Sequence, residues 1–291
     1  MTKNINEENL KLLDTLLNSQ KFQAIGEHNS VIKQVKNIIL NTKPNPEKLF
    51  IAEGIWAQQK ILETNTKIQS LIICPEYIFT NEAVNIVKQL SNLTDNLFTI
   101  SSKTFDKLSE RDKPDGMISI AYLPRYNIEN FKVSKKSLVL ILDGIEIPGN
   151  IGTMLRVCDG AGVDAVFICN RKARLTHPKL IKGSMGAVLT VPVIEFENVE
   201  ECYRFLHKNS FKTYLADTRA EKNYFEEEYP DRTAFVMGSE RYGISREWYN
   251  YDCGLISIPM RGKCDSLNVG VAATVLIYDA TMKIKIGAKR N

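Results

Sequence analysis

The chain has 291 residues, 44% of them hydrophobic and 25% charged, with a formal net charge of +4. This is the composition of a soluble globular protein with one large or two ordinary domains, and no apolar run approaches the roughly 18 residues of a membrane span. The amino-terminal stretch MTKNINEENLKLLDTLL shows no basic-then-apolar targeting signal, so the expected location is cytoplasmic.

Leu10, Leu13, Leu16 and Leu17, and then Val31, Val35, Ile38 and Ile39, recur at helical spacing, which predicts helix over residues 6–40. TKPNPEKLFIAEGIWAQQKILE reads as a turn, a short apolar strand and a helix opening near Gly54. Three further strands, SLIICPEYI, LFTIS and GMISIAYLP, accompany the helical NEAVNIVKQLS. Strand alternating with helix predicts a small α/β domain. The polar, proline-containing stretch 124–137 reads as a linker, giving two domains, residues 1–130 and 131–291.

Beyond it the strands are longer and more uniformly apolar: SLVLILD, AVFIC, VPVIEF, KTYLAD, TAFVMG and GLISIPM. Uninterrupted apolar strands are buried on both faces, which predicts a mainly parallel sheet covered by helices. The basic excess lies in this half. Residues 1–130 hold 15 basic and 15 acidic side chains, leaving 23 and 19 for the rest. Its densest patch, NRKARLTHPKLIKG, carries Arg171, Lys172, Arg174, Lys179 and Lys182 without an acid. Such a patch suits a phosphate-bearing partner, although a solvated loop reads the same way. The six cysteines form no C-x-x-C pair and the three histidines are far apart, so neither a disulfide framework nor a metal site is expected.

The strand SLVLILD runs into D-G-I-E-I-P-G-N-I-G. A dinucleotide loop needs G-x-G-x-x-G, and only Gly149 and Gly152 fit its last part. Pro148 removes a backbone donor, and the G-K-[ST] of a phosphate loop is absent. What remains is a tight turn presenting Asn150, followed by Arg156 on a helix, which alone is no more than a turn residue and a surface arginine.

Two later stretches change that. FVMGSERYGISREW places Gly238, Ser239 and Glu240 at the carboxyl end of a strand, where α/β sheets put ligand-binding groups. ISIPMRGKCDSLNVGVAATVLIYDA reads as a strand, a polar loop and an apolar helix with Val269, Ala272, Ala273 and Leu276 in the core. Ser266 and Asn268 stand at the start of that helix, where either could be only a cap. Three strand–loop–helix units imply one shared site at a strand-end edge. None of these loops holds a histidine, and Cys264 has no adjacent histidine or lysine partner beyond Lys263. A site of amides, one carboxylate and one arginine suits the positioning of a ligand that brings its own reactivity.

Pro148-Gly149-Asn150-Ile151-Gly152 with Arg156, Gly238-Ser239-Glu240-Arg241-Tyr242-Gly243-Ile244, and Ile258-Pro259-Met260-Arg261-Gly262 with Ser266-Leu267-Asn268-Val269 occur in order over about 140 residues. Together they resemble the three motifs of the SpoU (TrmH) family of RNA 2′-O-methyltransferases, which carry the trefoil-knotted SPOUT fold. The resemblance implies an α/β SPOUT methyltransferase domain and S-adenosylmethionine held by Ala216, Asp217, Thr218, Gly238, Ser239, Ile258, Pro259, Met260 and Leu267. It also implies a homodimer with the active site at the subunit interface, and no metal. Arg156 would act on the ribose 2′-hydroxyl, with Asn150, Glu240, Ser266 and Asn268 in a surrounding hydrogen-bond network.

Residues 1–130 resemble the ribosomal-protein L30e-like domain that binds RNA substrate in larger members, through EKLFIAEGIWAQQKIL. The wording DGIEIPGNIGT is similar to the thiostrepton-resistance type of ribosomal RNA methyltransferase. Two positions depart from the pattern: Gly270 stands where Ser or Ala is usual, and Lys182 where many members have Arg. The expected function is methylation of a ribose 2′-hydroxyl in structured RNA, ribosomal in preference to transfer RNA. A non-catalytic RNA-binding or ribosome-assembly protein and a nucleotide-dependent oxidoreductase are the rival readings.

Overall fold

The single helix expected over residues 6–40 is two helices with a strand between them. In the computed structural model, which describes residues 5–19 and 21–286, Asn6 caps α1 (Glu7–Asn18) by accepting from the Asn9 amide. Asn29 caps α2 (Ser30–Leu40) by accepting from Val31. Between them Phe22–Ala24 forms β1, which pairs in parallel with a strand beginning at Leu97. That partner lies more than seventy residues away, so a lateral tertiary contact overrides the helical spacing on either side.

The chain divides into two compact units, residues 1–124 with 176–178 and residues 125–175 with 179–291. The first continues with β2 (Leu49–Glu53), α3 (Ile55–Glu63), β3 (Ile68–Ile73), α4 (Asn81–Leu90), β4 (Leu97–Thr99), α5 (Ser102–Asp106) and β5 (Met117–Tyr122). Its sheet runs β1-β4-β3-β5-β2, with β1, β4 and β3 parallel and β5 antiparallel to both neighbours. Ile32 and Val35 of α2 pack with Ile72, Phe105, Ile118 and Ile120 in one core. The α/β reading of this part holds, with β1 added.

Among the described residues the second unit has six strands, where six were expected. They are β6 (Ser137–Asp143), β7 (Ala165–Cys169), β8 (Val193–Glu195), β9 (Lys212–Ala216), β10 (Arg232–Gly238) and β11 (Gly254–Ile256). With them go α6 (Pro148–Ala161), α7 (Pro178–Ser184), α8 (Val199–Lys208) and α9 (Val269–Thr281). Every pairing in the order β11-β9-β10-β6-β7-β8 is parallel. All seven residues of β6 are buried. Val139 and Ile141 join Val199, Cys202, Leu206 and Trp248 in a core on one face, and Leu140 and Leu142, of opposite parity, are buried on the other.

Helices α6 and α9 pack together. Thr281 donates its hydroxyl to the Ala161 carbonyl, 3.3 Å away, and a Cβ added at Gly270 would meet Thr153 at 3.3 Å. The departure at Gly270 therefore goes with Thr153 on the facing helix: a side chain at 270 would press on it. At Gly152 a Cβ would lie 2.6 Å from the Leu180 carbonyl, so only glycine lets α6 approach α7 this closely. All six thiols are free, and no described helix is long and apolar enough to cross a membrane.

Candidate cofactor and active site

β11, β9 and β10 are neighbours, and the loops leaving their carboxyl ends surround a cavity of about 640 Å³. Asp217, Thr218 and Arg219 line it from the loop after β9. Ser239, Glu240 and Tyr242 follow β10, and Ile258, Met260, Ser266, Leu267 and Asn268 follow β11. Carboxyl ends of parallel strands are where open sheets hold ligands, because the loops there diverge and leave backbone groups unpaired.

The loop after β10 is shaped locally. Ser239 and Gly243 exchange backbone hydrogen bonds of 3.0 and 2.8 Å, and the Ser239 hydroxyl accepts from the amides of Arg241 and Tyr242 at 3.2 and 3.1 Å. Gly243 closes this turn at φ +69°, a conformation that favours glycine. At its exit the buried Asp143 carboxylate accepts from the Ser245 amide and the Asn170 side chain, each at 2.7 Å. This ties the loop to the end of β6.

The expected turn around Asn150 is instead the first turn of α6. Pro148 opens the helix, where its missing N–H costs nothing and its fixed φ suits the helical backbone. Asn150 therefore stands at a helix start and reaches two other segments. Its amide donates to Glu240 Oε1, and its Oδ1 accepts from Asn268 Nδ2 at 3.4 Å. The Oδ1 of Asn268 accepts from Gly270 at 2.9 Å, so this residue caps α9 and joins the network at once. Asn150, Glu240 and Asn268, one from each of the three stretches, thus meet through side chains at the cavity edge.

Other expected residues stand apart from that network. Ser266 lines the cavity, but its hydroxyl donates to the neighbouring Asp265 at 3.4 Å. Pro259 lies between two lining residues and does not line the cavity itself, whereas Ala216, Asp217, Thr218, Gly238, Ser239, Ile258, Met260 and Leu267 all do. Arg156 is exposed on α6 and outside the lining, and among the described residues it makes no hydrogen bond or ion pair. Six residues along a helix place it about 120° around the axis and about 9 Å along it from Asn150, so Arg156 stands off the network that Asn150 joins. Arg171, Lys172, Arg174, Lys179 and Lys182 are all exposed and none lines the cavity; Arg171 pairs with Glu195 at 3.2 Å.

Arg219 and Tyr249 also line the cavity, and the sequence reading missed both. The Asp217 carboxylate accepts from Arg219 Nε at 3.1 Å, Arg219 Nη2 at 2.9 Å and the Tyr249 hydroxyl at 2.5 Å. The Arg219 guanidinium holds the Asp217 carboxyl down to about 2, with Tyr249 adding to the effect against the cost of burial. Burial, and then Asp217, push the Tyr249 hydroxyl up to about 12. The Asp-x-Arg spacing in a loop after a strand was a usable signal, since Asp217 also accepts from the Arg219 amide at 2.9 Å. Tyr249 lies 32 residues from Asp217 and had no signal.

A depressed carboxyl stabilises the fold above its ordinary value near 4 and loses that contribution as the pH falls through about 2. Asp217→Asn is therefore expected to cost about 1 kcal/mol at neutral pH, allowing for solvent screening of the exposed arginine. Urea unfolding should show this difference unchanged from about pH 5 to 9 and closing between about pH 4 and 2. A difference that persists in acid would contradict the ion-pair account.

Residues 137–278 match the family described as SpoU rRNA Methylase, and residues 29–119 match the MRM3-like substrate binding domain. A 23S rRNA (guanosine-2′-O-)-methyltransferase, RlmB, of Xanthomonas axonopodis pv. citri is 35% identical over 153 residues, 53% of this chain. That stretch spans 61% of the relative's own length. A crystal structure of an RNA 2′-O ribose methyltransferase is similar with a TM-score of 0.75 and 27% identity, covering 90% of this chain and 99% of that one. An AdoMet-bound rRNA methyltransferase from Sinorhizobium meliloti shares the fold, with a TM-score of 0.80 at 19% identity over 89% of this chain and 97% of its own. Sequence and fold agree, and the chain carries a SpoU rRNA methylase domain together with a substrate-binding domain of the MRM3-like kind.

Proposed function

We propose that this chain transfers a methyl group from S-adenosylmethionine to a ribose 2′-hydroxyl of ribosomal RNA. The observation that carries the reading is the meeting of Asn150, Glu240 and Asn268 at the edge of one strand-end cavity. The cavity suits the cofactor. Its 640 Å³ lies within the roughly 300–1,000 Å³ of small-molecule sites, and Met237, Ile244 and Val269 offer an apolar wall for a purine. Backbone groups of Ala216, Thr218, Gly238, Ile258, Met260 and Leu267 are the holding atoms in this reading, with Asp217, Ser239 and Pro259 shaping their loops.

When bound, S-adenosylmethionine supplies an electrophilic sulfonium methyl. That methyl would pass to the 2′-oxygen, with the thioether S-adenosylhomocysteine as leaving group and the hydroxyl proton released to the adjacent RNA phosphate or to solvent. Arg156 hydrogen-bonds the oxygen as its charge develops and holds the adjacent phosphate; a guanidinium resists deprotonation and so acts as a donor. Asn150 is oriented by Glu240 on one side and Asn268 on the other, and Ser266 borders the same space.

The proposal includes a homodimer. Arg156 lies outside its own chain's cavity, and α9 exposes Val271 and Tyr278, with Met282 of the turn that follows continuing the stripe. In a dimer through α6 and α9, Arg156 of each chain completes its partner's cavity. Residues 1–130 and the exposed Arg171, Lys172, Arg174, Lys179 and Lys182 are the proposed RNA contacts, acting in the cytoplasm. A trefoil-knotted chain path belongs to the same reading, supported by the family and by β10 entering the sheet between β9 and β6.

Methyl-labelled S-adenosylmethionine, incubated with the protein and either unmodified ribosomal RNA or unmodified transfer RNA, tests the reaction. Label should enter ribosomal RNA and make one linkage resistant to alkali, because a methylated 2′-oxygen cannot attack its phosphate. Label in transfer RNA alone would reassign the substrate. Cofactor binding without label in any RNA, assembled ribosomal particles included, would favour a non-catalytic RNA-binding role.

A further inference from the structure

We propose that Arg219 recognises the carboxylate of the methionine moiety of S-adenosylmethionine, so that the cavity selects the intact cofactor over its decarboxylated form; this rests on the function proposed above. The charges around the cavity point to it. Its lining carries three acids, Asp217, Glu240 and Asp265, and Arg219 is the one base among the described lining residues. S-adenosylmethionine carries two positive groups, the sulfonium and the α-ammonium, and one negative group, the carboxylate. Acids answer the first two. In a wall of acids the carboxylate has a single cationic partner.

The hydrogen bonds leave Arg219 able to serve. A guanidinium has five N–H donors, and Arg219 spends one from Nε and one from Nη2 on Asp217. Three are not spent on Asp217, including both on Nη1, and the Tyr249 oxygen lies beside the guanidinium. The side chain is 82% exposed while that of Asp217 is only 9% exposed, so the fork is anchored at its buried edge and open at the other. Tyr249 donates to the same carboxylate from another segment and fixes the anchor from a second side. A planar cation held in this way meets a carboxylate in a bidentate geometry that a mobile lysine does not reproduce. Because Asp217 already has a cationic partner, it does not set a free negative charge against the ligand.

Titration calorimetry on the full chain, with S-adenosylmethionine and decarboxylated S-adenosylmethionine as ligands, tests this without any RNA. Wild type should bind the intact cofactor about tenfold more tightly or better, the usual scale of a charge-assisted pair. Arg219→Ala should remove that preference by weakening the intact cofactor alone, and Arg219→Lys should keep part of it. Since Arg219→Ala also leaves Asp217 unpaired, the double variant Asp217→Asn/Arg219→Ala is measured beside it and should show no preference either. Equal affinities in wild type, or a preference that survives in the double variant, would overturn the assignment. Failure of wild type to bind either ligand would overturn the proposed function itself, a distinct result.

Discussion

Arg156→Ala is expected to lower methyl transfer by about a thousandfold, the scale of losing a donor to a developing oxyanion, while S-adenosylmethionine affinity changes by less than about twofold. The split follows from position. Arg156 is exposed, unpaired among the described residues and outside the cofactor cavity, so its removal leaves that cavity and its anchoring bonds in place. It also carries no packing load, since α6 turns Ile151, Met154, Leu155 and Cys158 into the core instead. Single-turnover methylation and calorimetry on the same preparation separate the two quantities, and sedimentation at the assay concentration should report a dimer. A parallel fall in cofactor affinity would put Arg156 in its own chain's cavity. A monomer with full activity would remove the shared-site reading.

Gly238→Ala is expected to destabilise the protein by about 3 kcal/mol and to abolish cofactor binding. A Cβ at this position would run into the backbone of Gly243 and Ile244, only 2.5 Å from the Gly243 carbonyl oxygen. Main chain cannot rotate aside as a side chain can, so relief requires opening the Ser239–Gly243 turn. That turn carries Glu240 to Asn150 and Tyr242 to the cavity wall, and the site would be lost with it. Gly149→Ala is the control: a Cβ there meets nothing within 4 Å, and stability should hold. Comparable unfolding midpoints for the two variants would show that close approach is not what glycine supplies at 238.

The sequence by itself determined a great deal of this. Six largely apolar runs became six parallel strands, and the pattern is local because strands such as β6 and β7, covered on both faces, must be apolar almost throughout. The three motif stretches all reach one cavity edge, since strand–loop–helix units place their loops at the same end of a parallel sheet. Only the tertiary structure decided the rest. β1 exists through its lateral bonds to β4, and no periodicity within three residues announces them. Pro148 could begin a turn or a helix, and α6 was settled by its packing against α7 and α9. Asn150 finds Glu240 at a separation of 90 residues and Asn268 at 118, and Tyr249 finds Asp217 at 32. Spacing encodes which face of an element is buried, whereas such partners depend on which strands become neighbours, and here that order is not the order of the chain.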